Sequence, residues 1–227
     1  MKKMPGSRAR ASTQQNPNSR EAILAAALKA FARGGFDGAS LPRIAKMAKV
    51  APPLIHYYFG SKDELWRETV DHSLGELRRE SSAICSATRT LAPLDRLRAL
   101  LQAITHFAAR CPDHFAMIVA EARSDSDRFA WLQKNYTGVL FADVLSILQD
   151  AKNRSQIKDV ATDQLASMLV GGILVYFTVD PATANRRDVK KLADEYIDLM
   201  FVVLLEGLAA NPGPIVSRAR TGRRKSR

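Results

Sequence analysis

The sequence is poor in the features that mark secreted and membrane-spanning proteins. It has only two cysteines among 227 residues, Cys85 and Cys111, and no C-x-x-C motif, which is typical of a protein kept in a reducing compartment. The longest run without a charged residue covers 16 residues, 164–179, whereas a membrane-spanning helix needs about 20 apolar residues. The first 20 residues are polar and lack the apolar core of a signal peptide. We therefore expect a cytoplasmic protein without a membrane partner.

Motifs for catalysis and for cofactor binding are also missing. The Gly-Ser-Lys sequence at 60–62 has the wrong residue order for a phosphate-binding loop. His106, Cys111 and His114 cluster in sequence, but their spacing matches no common zinc site. No nucleophile and base pair stands out, so the sequence predicts no metal, no cofactor and no enzymatic activity. A helical enzyme remains an alternative.

Positive charge is what the sequence has in excess, and it lies at the two ends. The formal net charge is +11. Residues 1–70 carry a net +7 and residues 211–227 a net +6, whereas residues 71–210 carry −2. This distribution favours an anionic partner such as nucleic acid. The segments 1–18 and 211–227 are predicted to be disordered basic tails, either solvated or adding phosphate contacts.

The pattern of apolar residues predicts an all-α protein. Apolar residues recur at helical spacing from residue 19 onward, and no alternating strand pattern occurs. Prolines and N-cap residues divide the chain into about nine helices. We predict an N-terminal three-helix domain over 19–66, which is a helix-turn-helix, and a larger helical domain over 67–210.

Residues 40–66 carry the signals of the helix-turn-helix. Ser40 is a suitable N-cap for a short helix, and Pro42 fits its first turn. The Pro-Pro pair at 52–53 disfavours helix in the residue before it and suits the start of a new helix. The first helix therefore ends near Val50, and a turn of three or four residues separates the two helices.

The second helix, residues 52–59, is predicted to expose aromatic side chains. Ile55 and Phe59 are four residues apart and can both face a core. This leaves Tyr57 and Tyr58 on or near the outer surface. Exposed aromatic groups indicate a binding surface, here one for nucleic acid, although tyrosines that cap a small core are the structural alternative.

The next helix begins with a capping box from Ser61 to Glu64, in which each side chain is expected to bond the other residue's amide. Lys62 lies in the first turn, where a cation opposes the helix dipole. A phosphate bound jointly by Lys62 and the open amides would explain this position.

Two segments near the C terminus, 168–177 and 199–205, are apolar on all sides. Such helices must be buried on two sides, and the second side is most simply covered by another copy of the chain. The residues predicted for this dimer interface are Gly171, Gly172, Val175, Leu199 and Val203.

Large side chains in the middle helices form a candidate effector pocket. The candidate lining residues are Phe107, Met117, Trp131 and Tyr136. Such a lining suits a small, largely apolar molecule. For each of the four residues, a position in an ordinary core is the favoured alternative.

Residues 20–66 resemble the DNA-binding domain of the tetracycline-repressor (TetR/AcrR-type) bacterial transcriptional regulators. The matching residues include the Gly-Phe at 35–36, Ile44-Ala45, Tyr58-Phe59 and the Ser-Lys-Asp-Glu-Leu sequence at 61–65. This is about a fifth of the chain, and the remainder agrees only in length and helical pattern. Lys49 and Ala51 stand where the family usually has Gly and Ser.

The resemblance implies a nine-helix homodimer in which the two C-terminal helices of each subunit form a four-helix interface. It implies phosphate contacts from Ser40, Tyr58 and Lys62. It implies base contacts from Pro52, Pro53, Leu54, His56 and Tyr57. The implied function is that of a bacterial repressor at the nucleoid, released from a palindromic double-stranded DNA operator by a small effector. A non-specific architectural DNA-binding protein is the alternative.

Overall fold

The computed structural model describes residues 17–124, 126–179 and 188–206. Within these residues the chain forms helices and no β-strand, which confirms the predicted all-α class. The helices are α1 (Pro17–Gly38), α2 (Leu41–Ala48), α3 (Pro52–Phe59), α4 (Lys62–Ala87), α5 (Pro93–Arg110), α6 (Pro112–Glu121), α7 (Asp127–Leu132), α8 (Gly138–Asn153), α9 (Thr162–Val179) and α10 (Val189–Met200). The predicted basic tails, 1–18 and 211–227, lie outside the described residues except for 17 and 18, which open α1.

Two π-helical segments interrupt the α-helical pattern. Gln133–Thr137 joins α7 to α8, and Phe201–Glu206 extends α10. Residues 127–153 therefore form one continuous helix. Counted in this way, the described residues form nine continuous helices. At Gly138 a Cβ atom would lie 2.5 Å from the carbonyl oxygen of Gln133. The wide turn therefore requires glycine at this position, a constraint that the apolar spacing of the sequence does not reveal.

Helices α1 to α3 and the start of α4, which we call the head, pack together at one end of the hydrophobic core. Its buried side chains include Ile23, Ala27, Phe31, Ile44, Ile55, Phe59 and Leu65. Gly35 breaks α1 with φ 65° and ψ −175°, a conformation nearly restricted to glycine. The chain then turns so that the Phe36 ring stacks on Phe31, with 6.0 Å between the ring centres. The bend places Phe36 beside the beginning of α4.

Helix α5 is the centre of the larger part of the molecule, which we call the body. It packs against α4, α6, α8, α9 and α10 and buries Leu97, Leu101, Ile104 and Phe107. Helix α4 runs from the head into the body, and α1 of the head packs against α6 of the body. None of the described helices is long and apolar enough to cross a membrane.

Candidate nucleic-acid interface and effector cavity

A left-handed residue forms the turn between α2 and α3. Lys49 has φ 57° and ψ 40°, and its amide donates to the carbonyl oxygen of Lys46 at 3.2 Å. The Val50 amide donates to the carbonyl oxygen of Ala45 at 3.0 Å. These two bonds form a Schellman motif, whose left-handed position commonly holds glycine. The turn thus keeps its geometry with a lysine where the resemblance leads one to expect glycine.

Helix α3 is anchored on one side and open on the other. Ile55 and Phe59 are buried, as predicted from their spacing. The Tyr57 side chain is 61% exposed, whereas Leu54 and Tyr58 are half-buried. The Tyr57 ring meets the Tyr58 ring edge-on at 5.3 Å between centres. The core contacts therefore fix the orientation of the helix and leave Tyr57 facing outward.

The two ends of α3 are fixed without a polar N-cap. Pro52 and Pro53, both exposed, open the helix after Ala51, which offers no side-chain cap. At the other end, Nδ1 of the exposed His56 lies 3.0 Å from the carbonyl oxygen of Gly60. Because a carbonyl oxygen can only accept, Nδ1 of His56 donates this hydrogen bond, which leaves Nε2 on the outer side of the ring.

A tight turn at Gly60 sets the direction of α4. Gly60 has φ 70° and ψ −63°, and the Ser61 amide donates to the carbonyl oxygen of Phe59 at 2.7 Å, which is a γ-turn with positive φ. The Ser61 hydroxyl accepts from the Glu64 amide at 3.1 Å, as the capping box predicts. The return bond of the box is replaced, since the Ser61 amide is already engaged by Phe59.

Lys62 contacts an aromatic ring that the sequence did not link to it. Its Nζ lies 4.4 Å from the centre of the Phe36 ring, within the range of cation–π attraction, and the side chain is half-buried. This contact offsets the unfavourable place of a cation at a helix N terminus. The exposed Ser40 occupies the N-cap of α2 without accepting a capping hydrogen bond, so its hydroxyl is not committed to the helix.

Arg128 connects the head to α6. Its Cζ lies 3.6 Å from the centre of the Phe36 ring, and its Nη1 lies 3.4 Å from Oδ1 of Asp63. Its Nε lies 3.1 Å from Oε1 of Glu121, whose side chain is 3% exposed. The Ser124 hydroxyl donates to the same carboxylate oxygen at 2.9 Å. Sequence reasoning missed this junction, although Arg128, like Lys62, is a cation in the first turn of a helix.

The outer face of α2 is cationic and adjoins the open side of α3. Arg43, Lys46 and Lys49 are exposed, while Ile44 and Ala45 are buried. Together with the open side of α3 they form a surface that we call the reading face. Its exposed members are Arg43, Lys46, Lys49, Pro52, Pro53, His56 and Tyr57. Cationic side chains can bind DNA phosphates, and apolar side chains can contact base edges and thymine methyl groups.

Residues 23–69, which contain this helix-turn-helix, match the model of the tetR family of bacterial regulatory proteins. The chain belongs to this family of transcriptional regulators. TetR-family regulators bind DNA and act as dimers.

Relatives of this TetR-family regulator match along most of its length. The HTH-type transcriptional repressor NicS of Pseudomonas putida is 24% identical over 200 residues, which cover 86% of this chain and 92% of NicS. The HTH-type transcriptional regulator BetI of Agrobacterium fabrum is 26% identical over 200 residues, which cover 86% of this chain and 94% of BetI.

Solved structures share the fold. A tetR-family regulatory protein from Rhodococcus RHA1 superposes with a TM-score of 0.65 at 19% identity, covering 80% of this chain and 94% of that protein. The TetR-family regulator PfmR of Thermus thermophilus gives a TM-score of 0.62 at 19% identity, with coverage of 80% and 94%. The likeness therefore extends from the head through most of the body.

The regulator exposes a second apolar surface on α9 and on the segment around the end of α10. We call it the pairing face, and its exposed side chains are Met168, Val175, Leu199, Val202 and Val203. Each of these side chains is more than half exposed. Three of the five residues predicted for a dimer interface, Val175, Leu199 and Val203, therefore belong to this face.

The two glycines predicted for the same interface have different surroundings. A Cβ added at Gly171 would meet no atom within 4 Å, so this position borders open space. A Cβ at Gly172 would lie 2.9 Å from the hydroxyl oxygen of Tyr196. The Tyr196 ring stacks on Tyr176 at 4.6 Å between centres. The close approach of Tyr196 from the same subunit thus accounts for glycine at 172. From the sequence we expected a second copy of the chain to approach this position.

A cavity of about 250 Å³ lies between α4, α6, the π-helical segment before α8, and α8 itself. Its lining residues are Leu74, Leu77, Arg78, Ser81, Ser82, Phe115, Ile118, Tyr136, Thr137, Val139, Leu140 and Asp143. Of the four residues predicted for an effector pocket, Tyr136 lines this cavity. Phe107 and Met117 are buried in the core. The Trp131 ring meets Trp66 edge-on at 5.9 Å between centres. The spacing of apolar residues did not distinguish a cavity wall from a filled core.

Proposed function

We propose that this regulator is a dimeric repressor that a small-molecule effector releases from a palindromic operator. The observation that carries the proposal is the reading face, where Ile55 and Phe59 hold α3 against the core while Tyr57 faces solvent beside exposed cations. NicS, which bears the name of a repressor, is covered over 92% of its length by this chain. In the proposal residues 19–66 bind DNA, residues 67–210 bind the effector and dimerise, and the protein acts in the cytoplasm at the nucleoid.

The proposed phosphate contacts come from the helix ends of the head. Ser40 and Lys62 lie at the N termini of α2 and α4, where unpaired amides favour an anion. The half-buried Tyr58 completes this set from α3. Lys62 keeps its Phe36 contact in this role, since a cation over a ring retains N–H donors for phosphate.

The proposed base contacts come from the open side of α3. The residues concerned are Pro52, Pro53, Leu54, His56 and Tyr57. The prolines and Leu54 carry no hydrogen-bond donor in their side chains, so we expect them to sense thymine methyl groups and groove shape. His56 offers the ring nitrogen Nε2 for a hydrogen bond, and the Tyr57 hydroxyl offers a donor and an acceptor.

The proposed dimer forms when the pairing face meets the same face of a second copy. Val175, Leu199 and Val203 are 59%, 62% and 61% exposed. A two-fold interface would bury these side chains in both subunits. The open space at Gly171 lets a partner helix approach, while Gly172 leaves room for the hydroxyl of the half-buried Tyr196. Two heads in such a dimer would reach successive major grooves, which lie about 34–36 Å apart.

The proposed effector acts through the junction at Arg128. Phe115 and Ile118 of α6 line the cavity, and Glu121 follows Ile118 by one helical turn. The Glu121–Arg128 ion pair continues to Asp63 in the first turn of α4. A ligand that displaces α6 would therefore also shift the start of α4, where Lys62 lies. This requires that the ligand bind the displaced arrangement of α6 and α4 more tightly than the undisplaced one.

The roles of Lys62 and Tyr57 are tested by titrating the full-length protein with its operator, first isolated from random duplexes. Lys62→Gln should weaken binding to all sequences similarly and lower the slope of log affinity against log salt by about 0.9 per subunit. Tyr57→Ala should instead change the base preference at defined positions of each half-site.

The matched control is Lys190→Gln on α10, which removes an exposed lysine outside the head and should leave both the salt slope and the base preference unchanged. A changed base preference for Lys62→Gln, with a uniform loss for Tyr57→Ala, would reverse the assignment of the two residues.

A further inference from the structure

The cavity contains a carboxylate without a counter-ion. Asp143 of α8 lines it and is half-buried, and it forms no ion pair or hydrogen bond with any residue that the structure describes. Burial raises the pKa of the Asp143 carboxyl above its ordinary value. A partly desolvated anion of this kind lacks the cation that usually accompanies it.

The nearby cations are committed elsewhere. Arg78 also lines the cavity, but it is exposed, and its Cζ lies over the Tyr136 ring at 5.8 Å from the ring centre. The Tyr136 hydroxyl in turn donates to Asp71. Arg96 pairs through Nη1 with Asp150 at 3.2 Å. Neither arginine forms an ion pair with Asp143, so among the described residues its carboxylate has no paired cation.

A buried hydroxyl lines the same cavity. Ser81 of α4 is 2% exposed, and its Oγ has no hydrogen-bond partner among the described residues. Ser81 and Asp143 line the same cavity, one from α4 and the other from α8. A buried polar atom without a partner is costly, and a ligand ammonium group has three N–H donors, enough for the Ser81 hydroxyl and the Asp143 carboxylate.

Buried apolar side chains form a large part of the cavity wall, and the space is small. Leu74, Leu77, Phe115 and Ile118 are buried side chains of α4 and α6 that line the cavity. The volume of about 250 Å³ is below the roughly 300–1,000 Å³ of pockets for drug-sized ligands. The cavity therefore suits a compact hydrocarbon body with one polar end.

We propose that the effector is a small apolar molecule bearing a protonated amine, which the Asp143 carboxylate and the Ser81 hydroxyl bind while the α4 and α6 side chains hold its hydrocarbon body. This inference rests on the proposal that the protein responds to an effector. It adds the ligand's charge and the atoms that recognise it.

The test is calorimetric titration of the full-length protein with n-octylamine, 1-octanol and octanoate, which share one hydrocarbon body and differ in the head group. Octylamine should bind roughly ten- to a hundredfold more tightly than the other two, as expected for a charge-assisted hydrogen bond in a partly buried site. Asp143→Asn should reduce octylamine affinity to that of octanol. Asp163→Asn, which removes an exposed carboxylate of α9 outside the cavity lining, should leave it unchanged.

Three outcomes overturn the proposal. They are tighter binding of octanoate than of octylamine, equal losses for Asp143→Asn and Asp163→Asn, and no octylamine binding by protein that binds its operator normally. Thermal unfolding checks that Asp143→Asn is folded, and Ser81→Ala supplies a second variant, expected to weaken octylamine severalfold. Octylamine that binds through Asp143 without changing operator affinity would support the ligand class and contradict the proposed release mechanism.

Discussion

Large apolar side chains are usually buried, but both the reading face and the pairing face expose them to solvent. Their surroundings differ. Tyr57 on the reading face lies in a head whose α2 exposes Arg43, Lys46 and Lys49. Val175 on the pairing face belongs to α9, which has no charged residue between positions 164 and 179. Apolar exposure alone indicates only that something binds, and the charge around it indicates what binds.

The two faces also differ in how their shape is fixed. The reading face is built on short helices, α2 and α3, set by the strained residues Lys49 and Gly60 and by buried anchors such as Ile55. The pairing face is built on long helices and includes part of a π-helical segment, 201–206. A DNA-binding surface needs fixed side-chain positions, whereas a dimer of aliphatic side chains needs mainly area and complementary shape.

The largest expected effect is on the pairing face. Leu199→Glu would place an unpaired charge in the proposed dimer interface, at a cost of several kcal/mol. We expect the dimer dissociation constant to rise at least about a thousandfold, and the protein to sediment as a monomer with little operator affinity. Leu91→Glu is the matched control, because Leu91 is also exposed, at 47%, but lies outside the pairing face. Dissociation by both variants, or by neither, would refute this interface.

A smaller effect is expected at Arg128, which connects the head to α6. Arg128→Gln leaves the buried Glu121 carboxylate without its cation, so the free energy of unfolding in urea should fall by about 3 kcal/mol. The double variant Glu121→Gln/Arg128→Gln removes both charges and should recover most of the loss. Equal stability of the single and double variants would show that the ion pair does not hold α6 to the head.

The smallest expected effect is on the turn of the reading face. Lys49→Gly relieves a left-handed conformation and should raise the free energy of unfolding by about 1 kcal/mol. It also removes a cation, so operator affinity should fall while stability rises. Lys49→Ala keeps the strain, and we expect it to lower affinity similarly without the gain in stability. A stability gain from both variants would mean that lysine charge, and not backbone strain, is responsible.

Much of the fold was predictable because it depends on local signals. The burial of Ile55 and Phe59 and the Ser61 cap follow from helical spacing and N-cap chemistry. The left-handed turn was hidden because Lys49 occupies a position where glycine is common. The π-helical turn before Gly138 was hidden because an inserted residue shifts the apolar spacing without abolishing it.

The functional contacts between distant segments were not predictable. Phe36, Lys62 and Arg128 meet only in the folded chain, and nothing in their spacing indicates the contact. The same applies to the cavity, since Ser81 and Asp143 lie on helices far apart in the chain, α4 and α8. The assignment of Lys62, Tyr57 and the other site residues to DNA remains a prediction that the experiments above test.

The most direct test of a sequence-reading function is selection of DNA by the full-length protein from random duplexes at physiological salt. We expect enrichment of an inverted repeat whose half-site centres lie about 10–10.5 base pairs apart or a multiple of that spacing, with Tyr57→Ala enriching a different half-site. Recovery of no common sequence, together with binding that disappears when residues 1–18 and 211–227 are removed, would contradict it and identify a non-specific DNA-binding protein.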